Sequence, residues 1–144
     1  MKNLLLSLAL LLTLSQFAIA QDLKIRTDEF PQKEYKAQNV EIVKLVSKEI
    51  SDTLPQIVDK FTTLVSVKGI NTTLVYTFEI NTGSKSDETI KNEDRSRMKR
   101  AITKGICQSS SKFLLAGIST SYIYISAISK AHLFQFDVKQ EDCH

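Results

Sequence analysis

TLVSVKGINTTLVYTFEI, residues 63–80, decides the fold. Its second half alternates. Leu74, Tyr76, Phe78 and Ile80 fall on one side of an extended chain, and Val75, Thr77 and Glu79 on the other. A period of two with one apolar side is the pattern of a strand lying on a core. The first half, Thr63 to Lys68, carries Val65 and Val67, and Gly69-Ile70-Asn71 supplies turn residues. The stretch therefore predicts a β-hairpin.

Upstream, the period becomes helical from about Gln38. Val43, Val46, Ile50 and Leu54 recur at three- and four-residue steps, Ile42 and Leu45 widen the stripe, and Pro55 stops or kinks the helix. Downstream, Asn81 to Ser84 breaks the strand. Ser86 followed by Asp87 and Glu88 suits a helix start, because a hydroxyl and two carboxylates meet unpaired N–H groups there. Ile90, Met98, Ala101, Ile102 and Ile106 continue that helix to Cys107. A short turn with Phe113, Leu114 and Leu115 stops at Gly117. Tyr122 to Ile125 is rich in aromatic and β-branched residues. His132, Phe134, Phe136 and Val138 then alternate with Leu133, Gln135 and Asp137. Ser126 to Lys130 is a short link, so a second hairpin is expected.

The order α-β-β-α-β-β predicts an α+β domain. Its expected form is a four-stranded antiparallel sheet with two main helices on one face. Phe78 and Phe136 are expected at the centre of that core.

Residues 1–20, MKNLLLSLALLLTLSQFAIA, have the three parts of an export signal: Lys2, the apolar run Leu4 to Leu14, and Ala18-Ile19-Ala20 for cleavage after Ala20. The run is too short for a stable membrane span. Residues 21–36 read as a polar N-terminal arm, and 37–144 as a single domain. The whole chain carries a formal charge of +3, and the signal holds one base and no acid, which leaves +2. So small an excess gives no global argument for nucleic acid. Cys107 and Cys143 are the two cysteines. In an exported chain they are expected to form one disulfide, closing a loop of roughly 35 residues and stabilising by about 3–4 kcal/mol.

One pattern spans most of the exported part: Leu54-Pro55-x-x-Val58-Asp59, Thr62-Thr63-Leu64, Arg100-x-Ile102, Cys107, Leu114-Leu115-x-Gly117, Tyr122-x-Tyr124, Phe136-x-Val138 and Cys143. It resembles the small exported bacterial proteins grouped as quorum-sensing-regulated virulence factors. The resemblance implies a periplasmic or secreted α/β protein with a disulfide, from a bacterium. It carries no catalytic residues to transfer.

No nucleophile–base pair or metal-ligand spacing stands out, and no cofactor is expected. There is no C-x-x-C, the serines Ser109 to Ser111 lack a nucleophile-elbow context, and glycine is too scarce for a phosphate loop. His132 falls in a strand and reads as a packing residue, on the aromatic face or its rim. The best binding candidates are the helical bases, with Arg97, Arg100 and Lys104 sharing one stripe and Lys91, Arg95 and Lys99 a neighbouring one. A solvated helix face is the plainer account of the same charges. Tyr122 and Tyr124 form a recognition patch if exposed, and core if not. The function these features suggest is an exported, non-enzymatic accessory or virulence-associated protein. It would bind a protein or peptide partner in the envelope or outside the cell. The alternative is a small periplasmic hydrolase-like enzyme.

Overall fold

A computed structural model describes residues 32–143. The expected export signal, its cleavage site and the first part of the arm lie outside the described residues. The chain runs α1 (Gln32–Ser51), β1 (Gln56–Ile57), β2 (Thr62–Ile70), β3 (Thr73–Ile80), α2 (Asp87–Lys91), α3 (Ser96–Ser109), α4 (Ser111–Leu115), β4 (Ser119–Ser126) and β5 (His132–Val138). A 3-10 turn, Gln140–Asp142, follows β5.

The strands form one five-stranded sheet in the order β1-β2-β3-β4-β5. The α+β class holds, but the expected four-stranded antiparallel sheet is corrected in two ways. A two-residue strand, β1, adds an edge beside β2. The two hairpins then meet through a parallel pair, β3 with β4, placing Tyr76 opposite Tyr122 and Phe78 opposite Tyr124. The connection between them carries three helices. A helical crossover of that length is what a parallel pair needs, whereas a hairpin turn forces antiparallel pairing.

Helix α1 begins at Gln32, so residues 32–36, expected in the arm, belong to it. It stops four residues before Pro55, whose peptide bond with Leu54 is cis. Val43 is fully buried against Leu74 and Ile118, and Ile50 and Leu54 pack beside the cluster of Leu64, Val67, Phe78, Tyr124 and Phe136. Leu45, expected in the stripe, faces out. The helix comes down hard on β2 at Gly69: a Cβ there would lie 2.8 Å from Val43 Cγ1 and 3.0 Å from its carbonyl oxygen. Two buried polar side chains of α1 are satisfied. Asn39 donates to the Ala116 carbonyl at 2.6 Å, and the Ser47 hydroxyl to the Lys44 carbonyl at 3.0 Å.

Two bulges set which side chains enter the core. In β2 the register shifts between Leu64 and Ser66, so Val65 is the extra residue. Leu64 and Val67, three apart, therefore both point inward, which a regular strand forbids. In β5 the pairing jumps from Tyr124↔Phe134 to Ile125↔His132, leaving Leu133 extra. His132 is thereby taken off the aromatic face where alternation had placed it. It is exposed, while Leu133 is buried.

The expected single helix from Ser86 to Cys107 is two. Ser86 does cap the first, accepting from the Thr89 N–H at 3.2 Å. Asn92 ends it, and Asp94 starts the next by accepting from the Ser96 N–H at 2.9 Å. The latter bond is the main reason the Asp94 carboxyl lies below its ordinary value. Gly117, at φ 82°, provides the stop after α4. Met98 and Ile102 of α3 pack on the same core cluster as α1's Ile50. Both main helices thus cover one face of the sheet, as expected. The other face, with Val75, Thr77 and Ile123, carries no helix among the described residues.

Candidate functional site

Helix α3 positions the candidate residues, and its 3.6-residue period sorts them. Met98 and Ile102 pack on the core cluster, and the row continues to the half-buried Ile106. Arg97 and Ala101 sit on one flank of that row, and Lys99, Thr103 and Cys107 on the other, with Arg100, Lys104 and Gln108 beside the latter. A groove runs along each flank.

The first groove, of about 810 Å³, lies between α3 and the C-terminal turn. Its wall is the Cys107–Cys143 disulfide, which joins positions 36 apart in sequence across a Cα separation of 5.5 Å. Lys99, Arg100 and Lys104 line it from α3, and Leu115, 70% exposed, lines it from the end of α4. None of the three bases is in an ion pair with another described residue. The acid of this groove, Asp142, already accepts from the Lys139 N–H at 2.8 Å.

The second groove, of about 780 Å³, lies between α2–α3 and the ends of β2 and β3. Phe61, Ile80, Ile90 and Phe134 give it an apolar lining. The Arg95 guanidinium lies over the Phe134 ring, 4.1 Å from its centre, and its Nη1 donates to the Lys91 and Glu93 carbonyls at 3.1 and 2.9 Å. Arg95 therefore binds the end of α2 to the aromatic floor, a structural task. At the rim, Lys85 donates to Glu93 at 2.6 Å and holds that carboxyl below its ordinary value.

The structure divides the expected basic stripes. Arg100 and Lys104 share the disulfide groove, whereas Arg97 faces the apolar one. The helix break at Asn92 parts Lys91 from Arg95 and Lys99, and Arg95, at the start of α3, lines the apolar groove while Lys99 lines the disulfide groove. Tyr122 and Tyr124 lie on the covered face, in an aromatic ladder across three strands. Tyr76 stacks on Tyr122 at 5.2 Å, Phe78 on Tyr124 at 5.0 Å, and Tyr124 on Phe134 at 4.6 Å. Burial pushes all three tyrosine hydroxyls up, that of Tyr124 to about 12. Tyr124 is buried in the core cluster, and Tyr76 and Tyr122 pack against it half-buried. Thr103 was not singled out from sequence, and Leu115 was read only as part of the short turn before Gly117, not as a binding residue. The signal for Thr103 was present in its i,i+4 spacing to Lys99 and Cys107, but the signal for Leu115 was not.

Among the described residues, no group of three or more His, Cys, Asp and Glu side chains could hold a metal, and no helix is long and apolar enough to cross a membrane.

No protein-family model and no curated protein matches the chain. Solved structures do. A Pseudomonas aeruginosa protein described as secreted superposes with a TM-score of 0.67 at 11% identity, covering 76% of this chain and 96% of its own. The type II secretion pilotin EpsS of Vibrio vulnificus gives 0.64 at 11% identity, covering 78% and 97%. The type II secretion pilotin AspS of Vibrio cholerae gives 0.60 at 13%, covering 78% and 98%. At such identities the likeness shows a shared fold. That fold accounts for nearly the whole of each neighbour.

Proposed function

We propose that this is an exported, non-enzymatic binding protein that holds a segment of a partner protein in a groove along α3. The observation that carries the reading is the pair of open grooves flanking α3, in a fold shared with two components of type II secretion systems and a secreted protein. The export signal read from residues 1–20 agrees with a site of action in the envelope or outside the cell. Among the described residues no histidine lines either groove, and the bases and carboxylates along them serve as caps, rims and packing groups. Such walls suit surface complementarity better than proton transfer.

The test is site-specific photocrosslinking in the host. A photoreactive residue at Thr103 reports on the disulfide groove, one at Ala101 on the apolar groove, and one at Thr77 on the open sheet face. A discrete protein adduct from Thr103 or Ala101, absent from Thr77, is the expected result. Discrete adducts from Thr77 alone, or from none of the three, overturn the reading.

A further inference from the structure

The two grooves differ in chemistry, and the difference selects an occupant. The disulfide groove presents Lys99, Arg100 and Lys104 along one rim, within two adjacent i,i+4 rows of α3. Its acid, Asp142, is already engaged in closing the C-terminal turn. The rim thus has an excess of positive charge facing the groove. The groove also has an apolar element: Leu115 stands largely in solvent at the end of α4 and shares the lining with the two disulfide cysteines. An exposed leucine and a row of bases in the lining of one groove make a surface of two chemistries. Nothing in the packing of the core needs it, because α4 buries Leu114 instead.

From this we infer that the disulfide groove takes an acidic, amphipathic segment of a partner protein. The segment's carboxylates meet Lys99, Arg100 and Lys104, and its apolar side chains lie on Leu115 and the Cys107–Cys143 bridge. This rests on the protein-binding reading above and names the partner's chemistry. The disulfide then does more than close a loop. It is the wall that keeps the C-terminal turn against α3, and without it the groove has one side. The apolar groove is a poorer acceptor for such a segment. Of its three bases, Lys85 and Arg95 are engaged by Glu93 and by Phe134, which leaves Arg97 alone, and two carboxylates, Glu93 and Asp94, share its lining.

The experiment is selection from a displayed library of random peptides on the full exported chain with its disulfide intact. Enriched peptides are then synthesised and titrated by fluorescence anisotropy. The expected result is enrichment of peptides that combine acidic and apolar residues. Their affinity should fall at least tenfold, about 1.4 kcal/mol, in the double variant Arg100→Glu/Lys104→Glu. It should also fall in Leu115→Asp and as salt rises. Ala101→Glu, on the other flank, should leave binding unchanged, and Arg100→Gln/Lys104→Gln provides a milder variant whose fold is checked by circular dichroism. Enrichment of neutral or basic peptides, or of peptides indifferent to the Arg100/Lys104 and Leu115 changes, overturns this inference but not the protein-binding reading. The absence of any enriched peptide overturns both.

Discussion

Gly69 of β2 lies so close under Val43 of α1 that a Cβ on the glycine would fall 2.8 Å from the valine's Cγ1. The contact fixes how near the first helix sits to the sheet. It also explains why a residue that reads as a turn glycine belongs to a strand: no side chain fits there. Gly69→Ala is expected to destabilise by about 1–3 kcal/mol, the cost of overpacking a closed contact. Thermal unfolding monitored by circular dichroism measures it, and an unchanged midpoint would show that α1 yields without cost.

Phe78 and Phe136 are 9% and 7% exposed and belong to one cluster. Truncating either to Ala should cost about 3–5 kcal/mol. His132→Ala, two residues from Phe134 but on the exposed side of the β5 bulge, should change stability little. Urea titration of the three variants separates them. A large loss for His132→Ala together with a small one for Phe136→Ala would mean that β5 is registered one residue differently.

The Cys107–Cys143 bridge closes a loop with a separation of 36. Replacing both cysteines by Ser should lower stability by about 4 kcal/mol, through the entropy returned to the unfolded chain. Chemical denaturation measures the loss. A shift below about 1 kcal/mol would mean that the C-terminal turn holds its place without the bond.

Alkaline pH should weaken the fold through the aromatic ladder. Tyr124 has an ordinary value of 10.0, pushed up to about 12 mainly by burial. The folded state keeps its proton where the unfolded state loses it. Tyr124's contribution is therefore complete below pH 10, declines as pH rises through the folded value, and is gone above it. Tyr76 and Tyr122 are shifted in the same direction. Denaturation midpoints should fall across this window, and Tyr124→Phe should flatten the fall. An equally steep fall in Tyr124→Phe would assign the effect to other groups.

The salt and charge-reversal behaviour of the basic rim has a counterpart in stability. Arg100 and Lys104 are exposed and outside any ion pair with a described residue. Their reversal should leave the melting temperature within a few degrees of the parent, since exposed charges contribute little. A collapse on reversal would mean that the rim is part of the fold rather than a free surface.

Local pattern was enough for much of this protein. Alternation at Leu74, Tyr76, Phe78 and Ile80 identified the strand and its core face, because side chains on a strand must alternate. The stripe at Val43, Val46 and Ile50 identified the first helix, and Ser86 and Gly117 marked where others begin and stop. These are short-range constraints, written within one turn or one pleat of the chain. Export and the disulfide were also readable as expectations, from a leading apolar run and an even cysteine count.

Other features depended on what meets across the sheet. The two bulges admit Leu64 with Val67 and put Leu133, rather than His132, into the interior; each exists because a neighbouring strand imposes its register. The parallel joining of β3 to β4 follows from the helical crossover returning the chain to the same edge of β3. Each strand pairs with its sequence neighbour, and what an all-antiparallel expectation misses is the direction of this one pair. The site divides the same way. The bases of α3 are plain in the sequence. Their sorting into two grooves, with Arg97 on one flank and Arg100 and Lys104 on the other, needs the core cluster that Met98 and Ile102 pack on between them. Sequence determined which residues carry charge and which must be buried, because those are properties of side chains and their local period. Only the tertiary structure decided which charges face a common groove, because that depends on where the buried row points.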